Sequence, residues 1–89
     1  MIATQINRAT LYEFCDLLPA PVIARPVLTA TRGRGFILSL EVGNDRVTLA
    51  ENGQPCNFSS IDAVMFELDG APNVDTSSLV IDAGRYWNN

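Results

Sequence analysis

Three turn signals set close together decide what the middle of this chain can become. Arg32-Gly33-Arg34-Gly35, Gly43-Asn44-Asp45 and Asn52-Gly53 each place residues that tolerate positive φ or favour turns. The stretches between them show a period of two. Phe36, Leu38, Leu40 and Val42 alternate with Ile37, Ser39 and Glu41, the pattern of a strand buried on one face. Ile37 implies some burial on the other face as well. Val47 and Leu49 alternate in the same way with Arg46, Thr48 and Ala50. Asn52-Gly53 is the strongest hairpin signal, because both residues accept positive φ. A short strand ending near Phe58 completes an antiparallel meander. Upstream, residues 22–31 are strand-like, but Pro26 interrupts them. A proline there fits an edge strand, or a strand that begins at Val27.

Two helices flank the meander. Leu11, Phe14, Cys15 and Leu18 are spaced i, i+3, i+4, i+7, with Asn7 or Thr10 as the cap and Pro19 and Pro21 as the stop. Ile61, Val64, Met65 and Leu68 repeat that spacing. Ser59 or Ser60 caps this second helix, Asp62 complements its dipole, and Gly70 and Pro72 end it. A polar loop, a short strand over residues 79–82 and a Tyr86-Trp87 tail follow. The expected fold is a single α+β domain over residues 1–89, an antiparallel sheet of four to five strands with two short helices, in the order αββββαβ.

With 89 residues the chain has room for one modest core. Among the charged residues there is no His and no Lys, and all six cations are Arg. Imidazole bases, Schiff-base lysines and histidine metal ligands are therefore excluded. Cys15 and Cys56 have no base beside them in the sequence. Cys15 lies among Phe14, Leu17 and Leu18 and reads as a small apolar residue. The acids show no paired spacing, and 69–75 lacks the alternating ligands of a calcium loop. The expectation is a protein that is not an enzyme and that takes no cofactor and no metal. No apolar run is long enough to span a bilayer, and no signal-peptide pattern is present, so the expected compartment is the cytoplasm.

Charge is unevenly distributed. Residues 1–40 hold four Arg against two acids, a net +2, whereas residues 41–89 hold two Arg against eight acids, a net −6. The acidic half supplies Glu41, Asp45, Asp62, Glu67 and Asp69 as candidate contacts to a basic protein surface. Asp62, Phe66 and Asp69 are spaced i, i+4, i+7 on a helix face separate from the apolar stripe. Phe66 among carboxylates is a candidate anchor. Without a partner, the same face reads as solvated, with Phe66 packed on a neighbouring strand. The alternative site is Arg25, Arg32 and Arg34, a locally basic stretch able to contact nucleic-acid phosphates. A third reading is a homodimer joined through an exposed strand edge.

Residues 57–70 carry Asn57-Phe58-Ser59-Ser60-Ile61-Asp62-Ala63-Val64, then Leu68 and Gly70. This segment resembles the strand, F-x-S-hydrophobic-D-A, short helix, glycine pattern of small phage and plasmid accessory proteins, anti-CRISPR inhibitors among them. The resemblance implies an inhibitor that binds a nucleic-acid-handling complex through an acidic surface, occupying a basic groove meant for DNA or RNA.

Overall fold

In the computed structural model, which describes residues 5–87, the chain builds one mixed sheet with helices packed on it. The elements are β1 (Gln5–Asn7), a 3₁₀ turn (Arg8–Thr10), α1 (Leu11–Asp16), β2 (Arg25–Thr31), β3 (Gly35–Val42), β4 (Asp45–Glu51), β5 (Gln54–Pro55), β6 (Asn57–Phe58), α2 (Ile61–Leu68), β7 (Val80–Asp82) and α3 (Gly84–Trp87). The α+β class and the β2–β3–β4 meander agree with the sequence pattern.

The purely antiparallel sheet and the order αββββαβ do not hold. The strand order is β1-β4-β3-β2-β7, and both outer pairs, β1 with β4 and β2 with β7, are parallel. The sheet has seven strands, because β5 and β6 are added off the main path. β3 and β4 pair only from Ser39 and Thr48 to the turn. Beyond that point β5 pairs with β4 and β6 pairs with β3. A strand also precedes the first helix, and a short helix follows the last strand.

Local chemistry explains each turn. Asn52 and Gly53 both have positive φ, 53° and 78°, as a two-residue hairpin loop with matching twist requires. Gly35 is needed twice over. Its φ is +81°, and a Cβ there would run into the Phe58 carbonyl oxygen. The close approach of β6 to β3 depends on that missing side chain.

Pro26 lies inside β2, which is a central strand and not an edge. The Ala24 amide donates to the Asn73 carbonyl at 2.7 Å, and the Asp75 amide donates to the Ala24 carbonyl at 2.9 Å. Backbone alternation then turns the Pro26 nitrogen to the same side. There the ladder to β7 starts only at Val27, so the missing N–H leaves no bond unmade.

Strand alternation sorts the residues onto two faces. Leu28 of β2, Leu38 and Leu40 of β3, and Val47 and Leu49 of β4 form the buried floor. Leu11 and Cys15 of α1, with Val64 and Leu68 of α2, close over it. Both helices therefore pack on one face. α1 ends at Asp16, short of the prolines, and Leu18 packs at the margin of the core. In the α2 stripe Val64 and Leu68 are buried, whereas Ile61 is exposed. The opposite face carries Arg25, Val27, Thr29, Ile37, Ser39, Glu41, Arg46 and Thr48, of which Val27 and Ser39 are buried, with Ser39 and Thr48 joined through their hydroxyls at 3.1 Å.

Candidate protein-binding site

The second helix owes its placement to a cap at one end and a tyrosine at the other. Ser60 accepts the Ala63 amide at 3.1 Å through its hydroxyl, satisfying one orphan donor. At the far end the Tyr12 hydroxyl donates to the carbonyls of Glu67 and Asp69, satisfying acceptors that the helix leaves open. Gly70, at φ +81°, turns the chain away. With Val64 and Leu68 buried, the outward stripe is fixed as Asp62, Phe66 and Asp69.

Phe66 is 82% exposed, more than any other large apolar side chain among the described residues. It does not pack on a neighbouring strand. Asp62 and Asp69 lie one turn to either side of it, and both are exposed. Tyr12, 44% exposed, borders the C-terminal end of the patch.

Glu67 belongs to a different arrangement. Its carboxylate takes a two-pronged bond from Arg8, Nε at 3.0 Å and a terminal nitrogen at 2.8 Å. The Arg8 guanidinium also lies 5.6 Å from the centre of the Phe58 ring. The hydrogen bond and charge of Glu67 hold the Arg8 pKa above its ordinary value. Glu67 thus ties α2 to the turn before α1, and its side chain is only 14% exposed. It braces α2 and is set apart from the exposed row of Asp62, Phe66 and Asp69.

The six acidic-site candidates do not converge. Glu41 projects from the sheet face opposite the helices, where it meets Arg46 at 2.7 Å. Asp45 sits at the β3–β4 turn. Of the six, the fold brings together Asp62, Phe66 and Asp69. The basic candidates also divide. Arg25 is at the start of β2, and Arg32 and Arg34 are in the turn after its end, roughly 20 Å away along the strand. Arg32 stacks on the Tyr86 ring at 5.2 Å. Tyr12 and Arg8, which shape the α2 patch, carry no sequence signal that pairs them with residues more than fifty positions away.

Both thiols are buried and unpaired, and burial pushes the pKa of each up, so neither is a ready thiolate. Among the described residues no helix is long and apolar enough to cross a membrane. Compared with protein-family models, curated proteins and solved structures, the chain shows no match to any of them.

Proposed function

We propose that this chain is a non-enzymatic protein-binding module, an inhibitor or adaptor that acts in the cytoplasm through the outer face of α2. Phe66 carries the reading. A solitary phenyl ring held almost fully in water, on a helix braced at both ends, is costly to expose and well placed to enter a pocket. Asp62 and Asp69 on either side select a pocket rimmed by Lys or Arg. A basic groove that normally takes DNA or RNA has that character. The likeness of residues 57–70 to small phage and plasmid accessory proteins, anti-CRISPR inhibitors included, favours the same class of partner.

The test is affinity for a partner captured at low salt. Phe66→Ala removes the anchor from an exposed position, so stability should change by less than about 0.5 kcal/mol. Affinity should fall roughly 30-fold or more, the scale of a hot-spot side chain. Reversing charge at Asp62 and Asp69 should slow association and flatten its salt dependence. Unchanged affinity in both variants would exclude this face.

A further inference from the structure

The sheet face turned away from α1 and α2 carries two adjoining recesses. One, of about 340 Å³, is lined by Thr29, Ser39, Thr48, Arg46 and Asp82. The other, of about 310 Å³, is lined by Arg34, Thr31, Gln54 and Asn57. Ile37 and Pro55 line both, so the two form one groove with an aliphatic centre. The wedge of β5 and β6 between β3 and β4 supplies Gln54, Pro55 and Asn57 to it.

Charge differs sharply between the two sides of the molecule. The helix layer carries Glu13, Asp16, Asp62, Glu67 and Asp69 against Arg8. The far side carries Arg25, Arg34 and Arg46 against Glu41 and Asp82, with Asp75 at its edge near Arg25. Glu41 lies in register between Arg25 and Arg46, so the far side is close to neutral where the helix layer is acidic. Arg34, at the other end of the groove, is exposed.

We propose that this groove is a second binding surface, for a short stretch of single-stranded nucleic acid. It goes beyond the α2 reading and does not depend on it. The exposed Arg34 guanidinium at one end suits a phosphate, Arg46 at the other end shares its charge with Glu41, and the Thr29, Thr31 and Thr48 hydroxyls add neutral phosphate contacts. The Gln54 and Asn57 amides offer donor and acceptor together, which is what unpaired base edges require. Ile37 and Pro55 between them give a base an apolar floor. An acidic peptide would use the guanidinium groups but has no need of the two amides beside an apolar floor. Because that floor is aliphatic, stacking is weaker than on an aromatic platform. Affinity belongs in the range of non-specific binding, roughly 10⁻⁴–10⁻⁶ M at physiological salt.

Fluorescence anisotropy with the full chain and labelled homopolymer DNA and RNA 12-mers tests this. Binding should weaken as salt rises, with a log–log slope near −0.7 for each phosphate contacted. Arg34→Ala should lower affinity and make the slope shallower by about 0.7. Asn57→Ala should lower affinity severalfold and leave the slope unchanged. Phe66→Ala should leave oligonucleotide binding intact, which separates this groove from the α2 site. Thermal melts equal to that of the parent chain show that each variant folds. Three results would overturn the proposal: no salt-dependent binding of either 12-mer, affinity indifferent to Arg34→Ala and Asn57→Ala, or polyglutamate competing as well as the oligonucleotides do.

Discussion

The two faces of the sheet differ in nearly everything except their backbone. On one face Leu28, Leu38, Leu40, Val47 and Leu49 are buried under α1 and α2. On the other, the intervening residues of the same strands are charged or hydroxyl-bearing apart from a partly buried Ile37 and a buried Val27, and the Ser39 hydroxyl is buried as well. The helices that cover the first face put Glu13, Asp16, Asp62 and Asp69 outward, and the second face keeps three of the six arginines. The two sides of the molecule differ in charge, but not along the division between the two halves of the sequence: Glu13 and Asp16 of the first half join the acidic helix layer, and Glu41 and Asp82 of the second lie on the far side. The first side is the one proposed to meet a basic protein surface, the second the one proposed to take an anionic chain.

The sharpest way to break this comparison uses two adjacent residues. Leu38 is fully buried and Ile37 only partly. Leu38→Ala should cost about 3–5 kcal/mol, as in other cores, and Ile37→Ala about 1 kcal/mol. Urea melts would show the gap, and equal losses would mean that both faces are core. Gly35→Ala comes next, at roughly 3 kcal/mol, because it combines a strained φ with a collision against the Phe58 backbone. Its melting temperature should fall by more than about 10 °C. A near-parental melt would show that β6 does not need its close approach to β3.

A smaller effect concerns the helix layer. Ser60→Ala removes the α2 cap and should cost about 1 kcal/mol. It should also loosen the Phe66 patch, read as faster amide exchange in the first turn of α2. An unchanged exchange rate there would show that the cap is dispensable. The smallest effect lies at the edge of the far face. Asp75 accepts bonds from the Ser77 hydroxyl and amide, and these hold its carboxyl below the ordinary value. A lowered folded-state pKa stabilises above the ordinary carboxylate range, and that contribution is lost as pH falls through the folded value. Ser77→Ala should move the Asp75 titration midpoint upward in an NMR titration. A midpoint that stays put would remove the hydroxyl from the account.

The sequence made some of this legible and concealed the rest for physical reasons. The α2 stripe, its Ser60 cap and Gly70 stop, and the Asn52-Gly53 hairpin are local, and local patterns carry them. β1, three residues long, leaves no periodic trace, whereas the short strand expected over residues 79–82 is β7; the parallel pairing of both with distant strands is what local pattern does not carry. Pro26 was misleading because its cost depends on where the neighbouring ladder begins. Phe66 was legible as an outward residue because it falls off the apolar stripe. The separation of Glu41 from that patch was also legible in principle. Its parity with Ile37 and Ser39, and not with Leu38 and Leu40, places it on the other face. The groove was not legible, since Gln54 and Asn57 meet Arg34 only through the wedge of β5 and β6.

The most direct test of the central claim is a paired capture experiment from low-salt, nuclease-treated bacterial lysate. The tagged parent chain and its Phe66→Ala variant are compared, with bound proteins quantified by mass spectrometry. A stoichiometric protein partner should appear on the parent chain, survive nuclease, elute with salt and be lost from the variant. Equal recovery on both chains, or no nuclease-resistant partner on the parent, would contradict that claim.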